Sequence, residues 1–148
     1  MTTWWDKIIK WAALGLGAIA GLYGEWTTAL QILCILMVVD YITGVLVAIS
    51  GKSQKTDGGG LSSKIGFIGI AKKGFIMLIV LVATQLDRAI GNTAMVFQSA
   101  TVFYYIANEG LSILENAEAI GVPFPDFIRE RLESIRESKS KPPDPDDL

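Results

Sequence analysis

The stretch TTALQILCILMVVDYITGVLVAI, residues 27–49, is an apolar run that carries a single charge, Asp40. At about 1.5 Å per helical residue it is long enough to cross a hydrocarbon core of about 30 Å. Its many Leu, Ile and Val side chains each favour insertion by about 0.3 to 0.6 kcal/mol, which outweighs the roughly 3 kcal/mol cost of one central Asp. The stretch therefore predicts a transmembrane helix that tolerates an intramembrane carboxylate.

Apolar segments on both sides of this run predict three more transmembrane helices, at about 8–24, 65–86 and 94–117. The first is rich in Gly and Ala and only weakly apolar, and the A-x-A pattern of Ala18 and Ala20 makes a cleavable signal peptide the alternative. The last carries several amides and carboxylates, so its insertion requires protein or water along one side. We predict an all-α integral membrane protein with about four transmembrane helices within residues 1–121.

The charges of the connecting segments indicate which side of the membrane each one faces. Lys52, Lys55 and Lys64 lie in the connection between the second and third helices, which we call the lysine loop. The next connection has only Arg88 opposite Asp87, and Asp87, Arg88, Gly91 and Asn92 mark it as a short turn. Because Lys and Arg concentrate in cytoplasmic loops, the lysine loop is predicted to be cytoplasmic. Four crossings then place both termini in the cytoplasm.

A Pro-Phe-Pro break at 123–125 precedes a charged C-terminal part. Apolar residues recur at near-helical spacing within 122–138, which predicts a short amphipathic helix on the cytoplasmic surface. From 139 to 148 the chain is rich in Pro and Asp, a composition that predicts a disordered acidic tail.

Composition argues against several classes of function. The chain has 148 residues, 51% of them hydrophobic, and its net charge of -2 comes without the concentrated basic face of a nucleic-acid-binding protein. It has no histidine, and its single cysteine, Cys34, lies inside the apolar run. The glycines at 58–60 lack the G-K-[ST] ending of a phosphate loop. We predict no enzyme, no cofactor, no metal site and no nucleic-acid partner.

Ionisable side chains at membrane depth are the most informative candidates, because they usually face a partner or water. Asp40 lies nine residues before Ile49, and Lys73 lies nine residues after Lys64. In an antiparallel pair of helices these groups are level, and Glu109 falls at a similar depth. We predict a buried polar layer of Asp40, Lys72, Lys73 and Glu109. The alternative is that the lysines snorkel to the interface and Asp40 lies near the headgroups.

A polar stripe follows one face of the fourth predicted helix. Its members recur in steps of mostly three and four residues: Gln98, Thr101, Tyr105, Asn108, Glu109, Ser112, Glu115 and Asn116. Such a stripe would be unstable against lipid, so it must face other helices, another subunit or a pore. An inter-helix hydrogen-bond seam and a water-lined surface are both open, and a pore would require several subunits.

A small-residue ridge of Ala13, Gly17 and Gly21 follows the first predicted helix and ends in a GxxxG. Ridges of this kind allow the backbones of membrane helices to approach closely. The partner is either another helix of the same chain or a second copy.

A set of segments occurs in a defined order along the chain. They are DYITGVL at 40–46, LSSKIGFIGIAKK at 61–73, Leu86-Asp87, and YYIANEGLSILEN at 104–116 followed by Gly121-Val122-Pro123 and Pro125. Together these segments resemble the toxin-secretion and phage-lysis holin family over about residues 32–132. The Trp-rich start and the glycines at 58–60 are not part of the pattern, and the acidic ending differs from the basic tail of many holins.

The resemblance implies a phage or prophage protein of the bacterial cytoplasmic membrane. Such a protein accumulates harmlessly and then oligomerises into lesions that release an endolysin or, in some members, a toxin. The expected partners are membrane lipid, further copies of the chain, and that endolysin or toxin. On this hypothesis Asp40 with Lys72 or Lys73 locks the subunit and the polar stripe lines the lesion. The alternatives are a selective channel or small transporter, and a scaffold subunit that docks through its amphipathic helix.

Overall fold

The computed structural model describes residues 3–56 and 58–140, and within these ranges the chain forms five α-helices and no strand. The helices are α1 Trp4–Leu22, α2 Thr28–Ile49, α3 Ser63–Ala89, α4 Val96–Ala119 and α5 Asp126–Ser140. The all-α prediction is therefore confirmed. Helix α1 begins earlier than the predicted residue 8 because Thr3 and Asp6 form a capping box ahead of the apolar segment.

Two of the described helices, α2 and α3, are long and apolar enough to cross a membrane. Only 17% and 11% of their most apolar windows are buried inside the chain. Large apolar side chains such as Ile35 and Phe75 are instead 60% and 66% exposed. A core helix of a soluble protein would bury these groups, whereas an apolar surface of this extent requires lipid or protein around it.

The predicted number of four spans is supported for α2 and α3 only. Helix α1 falls short because Lys7 and Lys10 interrupt a segment in which Gly and Ala supply little hydrophobicity. Helix α4 falls short because its polar stripe lowers its hydropathy.

Helix α4 is nevertheless the central helix of the fold. Helices α2 and α3 touch each other little, and both pack along α4. The apolar core at one end of this three-helix unit includes Leu33, Val80 and Val102, which are all almost fully buried. Because α4 lies between the two most apolar helices, much of its polar face points inward.

Helix α1 is attached to the rest of the chain mainly at its C-terminal end. None of its residues is buried. The Arg88 guanidinium donates to the carbonyl of Gly21 at 3.1 Å, and the Gln85 amide donates to that of Leu22 at 2.7 Å. A Cβ added to Gly17 or Gly21 would meet no described atom within 4 Å. Within the described residues, no helix of the same chain therefore packs on the small-residue ridge.

The connection between α3 and α4 differs from its sequence interpretation. Of the four residues predicted to mark the turn, Asp87 and Arg88 belong to α3, which continues to Ala89, whereas Gly91 and Asn92 lie in the connection. The chain reverses at 90–95 instead, with Gly91 in the left-handed region at φ 68° and Met95 at φ 50° immediately before α4.

Helix α5 folds back along α4. The methyl groups of Leu132 lie against Gly110, where an added Cβ would approach within 3.0 Å, and Arg129 forms an ion pair with Glu118. The amphipathic segment predicted at 122–138 thus forms a helix only from Asp126 onwards and packs on a neighbour. The predicted tail falls partly inside α5, at 139 and 140, and otherwise outside the described residues.

Candidate functional site

One ion network connects the three central helices. The Lys73 ammonium of α3 donates to a carboxylate oxygen of Asp40 on α2 at 2.7 Å and to one of Glu109 on α4 at 2.5 Å. The three side chains are 17%, 14% and 5% exposed, respectively. Two carboxylates and one ammonium give this cluster, which we call the ion triad, a formal charge of -1.

Helix geometry explains why these groups meet. Asp40 precedes the end of α2 by about as many residues as Lys73 follows the start of α3, so the two are level in antiparallel helices. Glu109 lies in the middle of α4, which packs against both. A buried charge without a partner is strongly destabilising, so each member of the ion triad depends on the others.

An amide from α4 completes the surroundings of Asp40. The side-chain nitrogen of Asn116 donates to the Asp40 carboxylate at 3.1 Å and to the Thr43 hydroxyl at 2.9 Å. The Thr43 hydroxyl in turn donates to the backbone carbonyl of Asp40 at 3.0 Å. Two polar residues of α4 therefore connect it to Asp40 of α2, Glu109 by way of Lys73 and Asn116 directly.

A second polar cluster lies near the opposite end of α3. The Asp87 carboxylate is fully buried and accepts hydrogen bonds from the backbone amides of Phe97 and Gln98 at 3.1 and 2.8 Å. Asp87 thereby caps the start of α4, although it belongs to another helix. The residue directly before α4, Met95, has no side-chain oxygen that could do so. The Gln98 side chain donates to the Thr84 hydroxyl at 2.8 Å.

The same Gln98 amide connects this cluster to α1. Its nitrogen also donates to the carbonyl of Tyr23 at 2.7 Å, and the Tyr23 hydroxyl donates to the carbonyl of Met77 at 3.1 Å.

Sequence reasoning missed Asp87 and Thr84. The available signal for Asp87 was the lack of a Ser, Thr, Asp or Asn directly before α4, since a helix without its own cap needs an acceptor from elsewhere. Thr84 offered no such signal, because a lone Thr in an apolar helix is unremarkable.

The other predicted residues have different surroundings. Lys72 is exposed and forms no ion pair within the described part of the chain. Thr101 and Tyr105 are half-buried, and Tyr105 packs edge-on against Tyr104 and against the apolar core. Glu115 is exposed. The predicted stripe is therefore divided, with Gln98, Glu109 and Asn116 forming inter-helix hydrogen bonds and Glu115 outside them.

A cavity of about 290 Å³ lies between the lysine loop and helices α2, α3 and α4. Asn108 and Ser112 of the stripe line it, and the ion triad lies in its wall. Across 3–56 and 58–140, no three His, Cys, Asp or Glu side chains converge as a metal ion would require. The chemistry this arrangement offers is hydrogen bonding and charge pairing along helix interfaces, beside a polar space that water can enter.

Comparison with known proteins identifies relatives along most of the chain. The model of the bacteriophage holin family matches residues 17–137. A protein of Bacillus phage phi105 named "probable holin" is 37% identical over 129 residues, which cover 86% of this chain and 88% of that protein.

Bacterial proteins are similar as well. An uncharacterized 14.9 kDa protein of Clostridium perfringens is 38% identical over 132 residues, 88% of this chain and 95% of its own length. A Listeria monocytogenes protein is 42% identical over 125 residues, 84% of each chain. No solved structure matches the chain.

Proposed function

Because the chain belongs to the bacteriophage holin family, we propose that it oligomerises in the bacterial cytoplasmic membrane and forms lesions for host-cell lysis. The lesions would release an endolysin or, as an alternative cargo, a toxin. The observation that carries this proposal is the distribution of polarity in the α2–α3–α4 unit, with charges between the helices and apolar side chains outside.

This distribution allows two states of the subunit, one in which its polar groups pair between helices and one in which they face water. In the closed subunit, Lys73 donates hydrogen bonds to both Asp40 and Glu109, and the Gln98 amide donates to the carbonyl of Tyr23 and to the Thr84 hydroxyl. If α4 separated from α2 and α3, the same groups would require water. Several subunits that open together around a common space would supply that water, and their polar faces would line it.

A lesion wide enough for an endolysin must be formed by more than one chain. The cavity of about 290 Å³ is far smaller than a folded enzyme, and α2 and α3 both pack along α4 beside it. Passage of an endolysin therefore requires a lesion bounded by many subunits. The uncovered small-residue ridge of α1 is available for contacts between copies, since close helix approach is what such residues permit.

We also propose a four-span topology with both termini and the lysine loop in the cytoplasm. The positive charge of the lysine loop supports its cytoplasmic side. The support for α4 as a span is its position, because it pairs with α2 at Asp40 and with α3 at both Lys73 and Thr84. Helices α2 and α3 would surround its polar groups, so its low hydropathy is compatible with insertion.

The test is induction of the full chain in bacteria, with and without a co-expressed cytoplasmic endolysin. We expect ATP release from both cultures and rapid lysis only with the endolysin. Ion flux without passage of the enzyme would contradict the proposal and favour a selective channel or small transporter that uses the ion triad as its path. Neither effect, at normal membrane levels, would contradict it in favour of a scaffold subunit.

A further inference from the structure

The mouth of the cavity beside the lysine loop is basic and rich in hydroxyls. Lys55 of the loop and Lys72 of α3 both line it, and neither forms an ion pair with a described residue. Ser53, Thr56 and Ser62 contribute hydroxyl groups to the same wall. Ammonium and hydroxyl donors in one concave wall are the groups that recognise a phosphate.

The Thr56 hydroxyl provides an independent observation. Its oxygen is buried and has no hydrogen-bond partner in the parts of the chain that are described. Most buried side-chain polar atoms in proteins are paired, so an isolated one at a cavity wall indicates a place where a ligand or water completes the bonding.

Among the described lining residues, the carboxylates lie in one region of the cavity. Asp40 and Glu109 also line the wall, and both are held by Lys73. An anion is therefore repelled by the ion triad and stabilised at the mouth, where Lys55 and Lys72 form no ion pair with any described residue.

The apolar part of the wall distinguishes a lipid from a free ion. Leu61 and Ile68 line the same cavity and are 65% and 43% exposed. Inorganic phosphate would leave these side chains in water, whereas the acyl chains of a phospholipid would cover them. Basic pockets between membrane helices at their cytoplasmic ends are suited to anionic headgroups.

We propose that this cavity binds the phosphodiester of an anionic membrane phospholipid, with Lys55 and Lys72 as its charged contacts. The proposal requires that α2 and α3 lie in a bilayer, and it does not depend on lesion formation. Failure of endolysin release would leave it intact, and loss of lipid binding would leave the holin proposal intact.

The test titrates the purified full chain in neutral detergent with phosphatidylglycerol and measures bound lipid by native mass spectrometry. The double variant Lys55→Gln/Lys72→Gln should bind at least about tenfold more weakly, since hydrogen bonds to charged groups are among the stronger ones in proteins. The matched control is Lys52→Gln/Lys64→Gln, which removes the same charge from the same region but outside the cavity wall. It should change affinity by less than about twofold.

A third variant separates cavity shape from charge. Gly66 lines the cavity, and among the described atoms a Cβ placed there meets only the Tyr41 hydroxyl, at 3.6 Å. Gly66→Val therefore keeps every lysine while it narrows the space, and it should weaken lipid binding as well. Circular dichroism of each variant checks that the helices are retained.

Five outcomes would overturn the proposal. Four of them are an equal loss in the two double variants, unchanged binding by Gly66→Val, equal binding of phosphatidylcholine, and the absence of bound lipid. The fifth is displacement of phosphatidylglycerol by inorganic phosphate at equal concentration, which would assign the site to free phosphate.

Discussion

Replacement of Lys73 by Met tests the structural role of the ion triad. The ammonium is the only described partner of the Glu109 carboxylate and one of two side-chain partners of Asp40, whose side chains are 5% and 14% exposed. Lys73→Met leaves two carboxylates facing each other without a cation. Removal of one member of a buried ion cluster costs about 3 to 5 kcal/mol, so we expect the free energy of unfolding to fall by about that amount.

The assay is chemical unfolding of the full chain in neutral detergent, followed by circular dichroism. Lys72→Met is the matched control, because it is the same substitution at the adjacent, exposed position of the same helix. It should change stability by about 0.5 kcal/mol or less. Anionic lipid is left out, so that the proposed lipid contact of Lys72 does not contribute.

A variant without any charge in the ion triad tests the same reasoning in a second way. Adding Asp40→Asn and Glu109→Gln to Lys73→Met removes every charge of the cluster, and the combined variant should recover most of the lost stability. Equal losses in the Lys73 and Lys72 variants would refute the reasoning. So would a combined variant no more stable than Lys73→Met alone, because the loss would then not come from unpaired charge.

The other predictions concern lysis timing, the cap of α4 and the packing of α5. Asp40→Asn removes one of the two carboxylates that hold Lys73 and should advance the onset of lysis. Glu115→Gln, on the exposed part of the stripe, should leave the onset unchanged. Equal onset times of the two variants at equal membrane levels would contradict this prediction. Asp87→Ala leaves two amides at the start of α4 unpaired and should cost about 2 to 4 kcal/mol. Hydrogen exchange at those amides measures the loss, and unchanged protection would show that the cap is unimportant. Gly110→Val clashes with Leu132 and should release α5 to proteolysis, while Leu132→Ala in the same chain should restore resistance. Full resistance of Gly110→Val alone would be evidence against the observed packing.

Much of the membrane character of this chain could be predicted from local sequence. Insertion of α2 depends on run length and side-chain hydrophobicity, which need no tertiary information. The shared level of Asp40 and Lys73 could also be predicted, because both positions are counted from the lysine loop that joins their helices. The position of Glu109 before the predicted inner end of the fourth helix predicts a similar depth.

The choice between Lys72 and Lys73 required the structure. Adjacent residues of a helix point about 100° apart, so only one of the two can face α2 and α4. Periodicity could not decide which, because apolar residues surround both lysines on all sides of α3. Packing selected Lys73 and left Lys72 at the cavity mouth.

The sequence alone determined that the chain is all-helical, that α2 and α3 are apolar enough to span a membrane, and that charges are placed within such segments. These are properties of single segments, because helix formation and hydropathy depend on residues that are close together in the sequence. Only the tertiary structure decided that α4 lies between α2 and α3, that Asp87 caps α4, and that the ridge of α1 is uncovered. Each of these depends on which surfaces meet between segments far apart in the chain, and hydropathy along the chain does not contain that information.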